Sequence, residues 1–130
     1  MGDRVLIVCH AGPTDIAPAV YAHWAGSDAP DILVAAGEAG ILREGDSCYT
    51  AARVAWAFCN RNPDSCRSVG LMHSPPNLEP ETFDFDGYGP GDAGAILLDV
   101  RDGSLSYYGG YLCGPDDEIE RPSHVKMKAE

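Results

Sequence analysis

The chain has 130 residues, 45% of them hydrophobic, and carries twenty acids against nine bases, a formal charge of −11. That length suits one domain with a buried core. No apolar run approaches the roughly 20 residues of a membrane span, and so strong a negative balance disfavours binding to nucleic acid or to an anionic membrane surface.

In chain order, residues 4–10 and 18–24 read as two β-strands of a hairpin, with Ala11-Gly12-Pro13-Thr14-Asp15 as turn material between them. Ser27 or Asp28 then starts a helix with Pro30 in its first turn. Ile32, Leu33, Ala36, Ile41 and Leu42 form its apolar stripe, interrupted by Gly37 and Gly40. Asp46 is a good N-cap for a second helix running to about Asn60. Tyr49, Ala52, Trp56 and Cys59 recur at helical spacing, which predicts that their face is buried.

Residues 68–73 look like a third strand, stopped by Ser74-Pro75-Pro76. Residues 74–93 form a long segment rich in Pro, Gly and acids, of a length that is uncommon within a domain unless it has a use. Residues 95–100 and 104–108 pair as a hairpin across Arg101-Asp102-Gly103, a sequence suited to the positive φ of tight turns. From residue 115 to 130 the composition turns charged and apolar-poor, which predicts a flexible tail after a single domain over 1–114. The order β-β-α-α-β-β-β predicts an α+β fold: an antiparallel sheet built from hairpins with two helices on one face. N-terminal-nucleophile hydrolases share this order but use Ser, Thr or Cys as the first residue, and this chain opens Met1-Gly2-Asp3.

The five cysteines, Cys9, Cys48, Cys59, Cys66 and Cys113, are odd in number and lack the tight pairing of a zinc site. With no secretory leader legible at the start, they predict free thiols and a cytoplasmic protein. No cofactor or metal is expected: the glycines never take a phosphate-loop spacing, and Cys9 and His10, adjacent on a strand, point to opposite faces. The scattered bases give no nucleic-acid patch.

The opening Met1-Gly2-Asp3-Arg4, the segment Tyr21-x-His23-Trp24-x-Gly26, Tyr49-x-x-Ala52-Arg53 and Leu97-Leu98-Asp99-Val100 resemble a group of small uncharacterised proteins of bacteria and bacteriophages. The resemblance covers about residues 1–110 and departs at the Pro-rich loop and the acidic tail. It implies no activity, only a context: a small accessory protein of phage or prophage origin.

Two sets of residues carry functional expectations. Charge is lopsided: residues 71–130 hold twelve acids and four bases, residues 1–70 eight and five. Within 79–92, Glu79, Glu81, Asp84, Asp86 and Asp92 interleave with Phe83, Phe85 and Tyr88. Aromatics to anchor and carboxylates to steer suit a basic protein surface as partner. Residues 84–95 also imitate a calcium loop but place Ala95 where the bidentate carboxylate belongs. The chain therefore reads as an acidic protein-binding module, an inhibitor or nucleic-acid mimic.

The alternative is a small hydrolase or transferase. Asp3, Arg4 and His23 would meet at the hairpin's open end over Trp24, or Cys48, in the first turn of the second helix, would act as a nucleophile. The same residues also fit plain packing: Arg4 paired with an acid, Trp24 against the first helix, Cys48 as a small buried thiol.

Overall fold

A computed structural model describes residues 3–61, 64–75, 78, 92–113 and 121–129. Its elements are β1 (Val5–His10), β2 (Ala19–Ala22), α1 (Ala29–Glu38), α2 (Ser47–Cys59), a 3-10 turn (Ser65–Ser68), β3 (Val69–Met72), β4 (Gly94–Asp99) and β5 (Leu105–Tyr108). The strands form one sheet in the order β3-β2-β1-β4-β5. The α+β class and the chain order of elements are those read from the sequence. The sheet is not purely antiparallel: β1 runs parallel to β4, with Val5 opposite Gly94 and His10 opposite Asp99. The other three pairings are antiparallel.

The central strands are covered on both faces, which is why they read as continuous apolar runs rather than alternating ones. Val5, Ile7, Cys9, Val20, Ile96 and Leu98 join the core beneath the helices, with Leu33, Val54 and Phe58. Leu6, Val8, Ala19, Ala95 and Leu97 form a second cluster on the opposite face, where Tyr21, Met72, Leu78 and Tyr108 pack.

The Asp46 carboxylate accepts the Tyr49 backbone N–H at 3.0 Å, which starts α2 where the sequence places it. Such a cap contributes about 1 kcal/mol. The buried face of α2 is, however, the opposite of the expected one. Ser47, Thr50, Ala51, Val54 and Phe58 face the sheet, while Tyr49 and Trp56 are 55% and 56% exposed. Small residues let the helix approach the sheet, and their hydroxyls are satisfied there. Ser47 donates to Asp15 at 2.6 Å, and Thr50 donates to the Arg43 carbonyl at 2.8 Å while accepting its N–H at 3.1 Å. In α1, Asp28 caps nothing with its side chain and pairs with Arg61 instead. The helix ends at Glu38, so Ile41 and Leu42 lie beyond it, although Leu42 is fully buried.

The β4–β5 turn closes through Gly103, whose φ of +81° bears out the Asp-Gly reading. Its second use is contact with the carboxy-terminal segment. The Val125 N–H donates to the Gly103 carbonyl at 2.8 Å, and the Leu105 N–H to the Ser123 carbonyl at 2.8 Å. Further along, Lys128 donates to Leu42 and accepts from Glu44. Residues 121–129, assigned by composition to a flexible tail, are thus docked on the body. Val125 is buried and Met127 half-buried, while Lys126 and Lys128 stay exposed, an alternation too short to stand out among the charges. Among the described residues, no helix is long and apolar enough to cross a membrane.

Candidate functional site at the hairpin end

Asp3 precedes β1 and fixes the chain that leaves β2. Its N–H donates to the His23 carbonyl at 2.9 Å, and its own carbonyl accepts from Ala25 at 3.1 Å and Gly26 at 2.8 Å. Its carboxylate accepts the Ser27 N–H at 2.8 Å and the Tyr111 hydroxyl. Partial burial pushes the Asp3 carboxyl up, but the Tyr111 and Ser27 hydrogen bonds and the nearby Arg61 charge outweigh it and hold the group below its usual value. Burial, followed by the bond to Asp3, raises the Tyr111 phenol. The Arg4 backbone N–H donates to Asp92 at 3.3 Å, and its guanidinium pairs with the same carboxylate at 3.7 Å. Asp3 does lie beside His23, as hairpin geometry predicts, but Asp3, Arg4 and Asp92 are all engaged as braces.

Above this brace lies an open groove of about 360 Å³, lined by Tyr21, His23, Trp24, Arg67, Ser68, Val69 and Gly70. Tyr21 and His23, two residues apart, project from one face of the sheet, and the Tyr21 hydroxyl meets His23 Nδ1 at 3.0 Å. The His23 and Trp24 rings stand edge to face with centroids 4.5 Å apart. Trp24 is 56% exposed, so it neither enters the core nor packs away on α1. Of these residues the sequence singles out His23 and Trp24. Arg67 and Gly70 arrive through the β2–β3 pairing, where Tyr21 faces Gly70. The one signal in the sequence was a glycine in the middle of a strand.

Cys48 sits at the other end of the sheet. The Ser47–Asp15 bond and the links from Gly45 to Val100 and from Val100 to His10 place the start of α2 beside the end of β1. Six residues of β1 separate that end from His23, about 20 Å at strand rise. Cys48 and His23 therefore belong to no common catalytic set. Cys48 is exposed rather than buried. Cys9 is fully buried, and burial together with the neighbouring Cys48 pushes its thiol up to about 12. It is inert at neutral pH.

A smaller polar cavity of about 170 Å³, bordered by His10, Asp99, Ser104, Ser106 and Tyr108, opens at the end of the parallel pair. Asp99 accepts two bonds from the Arg101 guanidinium, at 2.9 and 2.7 Å. The Arg101 bond, against a smaller effect of burial, holds the Asp99 carboxyl low. Burial lowers the His10 imidazole, and Arg101 adds to that, with Asp99, Asp102 and Asp15 opposing. A lowered histidine contributes stability in full above its unfolded value of about 6.5 and loses it as pH falls through the folded value. Asp99 and Asp3 follow the same sign from about 3.9 downward. Urea midpoints are therefore expected to fall between about pH 7.5 and about pH 5.5 in the native protein and to stay flatter in His10→Gln. Equal slopes in the two proteins would exclude His10 as the source.

Among the described residues, no group of three or more His, Cys, Asp or Glu side chains could hold a metal ion. Glu79, Glu81, Phe83, Asp84, Phe85, Asp86 and Tyr88 lie outside the described residues. A comparison of the chain with family models, curated proteins and solved structures finds no match to any of them.

Proposed function

We propose that the protein is an acidic, non-enzymatic binding module that docks on a basic protein surface in the cytoplasm, as a phage- or prophage-derived inhibitor or nucleic-acid mimic does. The observation that supports this reading is the disposition of charge. Arg4, Arg43, Arg61 and Arg101 each pair with a neighbouring carboxylate, from Asp92, Asp46, Asp28 and Asp99. Twenty acids against nine bases leave a surplus with no internal counter-charge. That surplus is concentrated in residues 71–130 and steers a cationic partner. Glu79, Glu81, Asp84 and Asp86 supply the steering carboxylates, and Phe83, Phe85 and Tyr88 the anchors. Asp92 contributes through its brace on Arg4. The catalytic alternative has less support, because Asp3 and Arg4 are engaged as braces and Cys48 lies at the opposite end of β1 from His23.

The test is capture of a basic partner by the native chain and by the Asp84→Lys/Asp86→Lys variant, at low and high salt. Reversal of two charges at the contact is expected to weaken capture at least tenfold, about 1.4 kcal/mol, and high salt to release the partner. Equal capture by both proteins, or capture indifferent to salt, would overturn the reading.

A further inference from the structure

We infer that the groove beside Trp24 is a binding site for a small planar anion: an aromatic ring bearing phosphate or carboxylate, about as large as a nucleoside monophosphate. The inference goes beyond the basic-partner reading, since it uses other residues and the opposite charge, and it stands if that reading fails.

The space is built into the strand. Gly70 sits in β3 opposite Tyr21, and a Cβ placed on it would meet nothing within 4 Å. Its φ is not in the left-handed region, so the backbone does not demand glycine. A β-branched residue would fit and would strengthen the strand. What glycine supplies here is a floor open to a ligand.

The walls are rigid. The Tyr21 hydroxyl fixes the His23 ring through Nδ1, and His23 Nε2 makes no hydrogen bond among the described residues. The Trp24 backbone is pinned between the Asp3 bridge and the Ala25 and Gly26 bonds to the Asp3 carbonyl. An indole held in place yet 56% exposed offers a stacking surface at little cost in conformational entropy. Trp24 stands at the rim with its ring set against His23.

Charge selects the ligand. Arg67 leaves the 3-10 turn exposed, and its guanidinium has no hydrogen bond or ion pair among the described residues. Arg61, close by, is neutralised by Asp28 at 2.5 Å. A guanidinium with no partner among the described residues, beside an aromatic wall, suits a ring with an attached anion. Charges more than about 8–10 Å away are screened at physiological salt, while a net charge of −11 disfavours a polyanion. The groove volume, about 360 Å³, falls within the roughly 300–1,000 Å³ of small-molecule sites.

The experiment follows amide and indole N–H resonances of the full chain on titration with adenosine 5′-monophosphate, benzoate, adenosine and inorganic phosphate. The two ring anions are expected to shift Ser68, Val69, Gly70 and the Trp24 indole N–H saturably. Adenosine and phosphate alone should bind at least tenfold more weakly. Arg67→Ala is expected to cost at least tenfold, and Gly70→Val to abolish the shifts while its thermal transition stays at or above that of the native chain. Trp24→Leu gives an independent loss should Gly70→Val fail to fold. The inference is overturned by any of three results: no saturable shift from either ring anion up to about 5 mM, a range that detects even millimolar affinity; unchanged binding in both Arg67→Ala and Trp24→Leu; or phosphate alone binding as tightly as the nucleotide.

Discussion

Phe58→Ala is expected to lower the unfolding free energy by about 3–5 kcal/mol, the usual loss for a phenylalanine removed from a closed core. Trp56→Ala, two residues earlier on the same helix, is expected to cost less than about 1 kcal/mol. Phe58 is 1% exposed and Trp56 56% exposed, so the larger side chain carries the smaller energy. Urea denaturation of the two variants measures both numbers. A costly Trp56→Ala with a mild Phe58→Ala would mean that α2 is rotated by about half a turn from the arrangement described.

That contrast locates the limit of what could be read beforehand. Asp46 and the following apolar spacing announce α2, but alanines and aromatics lie on both sides of it. Periodicity alone then favours the bulkier stripe of Tyr49, Ala52, Trp56 and Cys59. The choice is made by the fit of Ser47, Thr50 and Ala51 against the sheet and by partners for two hydroxyls, one of them in the loop after β1. Strands and turns were legible because their signals are local: the run Val5–Val8, the Asp-Gly turn, the Pro pair after β3. The parallel β1–β4 pair was not, since each strand is equally apolar in either direction and its partner is remote. At the candidate site, His23 and Trp24 stand out by residue type. Gly70 and Arg67 matter only through a register that the sequence does not state.

Gly26→Ala is expected to destabilise by about 2–4 kcal/mol, combining overpacking with loss of hydrogen bonds to a charged carboxylate. Gly26 is buried and has no positive φ, so the cost is one of contact rather than backbone strain. An added Cβ would lie 2.4 Å from the Asp3 carboxylate and 2.5 Å from the Ala93 Cβ. Ala93 cannot withdraw without losing the bond from its N–H to the Arg4 carbonyl, at 2.9 Å. If Asp3 turns away instead, Ser27 and Tyr111 lose their acceptor. Adding Asp3→Ala to Gly26→Ala is accordingly expected to cost less than the two single changes together, by about 1 kcal/mol. Strict additivity would show that the methyl is absorbed elsewhere.

The side-by-side course of β1 and β4 also has a kinetic meaning. On its β4 side, Val5 finds its neighbour only at Gly94, and His10 only at Asp99. While the ribosome is still extending the chain, the first strand waits with one flank unsatisfied until residues 94–99 have emerged. Closure of so long a loop belongs to the slow end of small-domain folding, on the order of milliseconds to seconds, and any nascent fragment ending before residue 94 carries an open apolar flank for chaperones to hold.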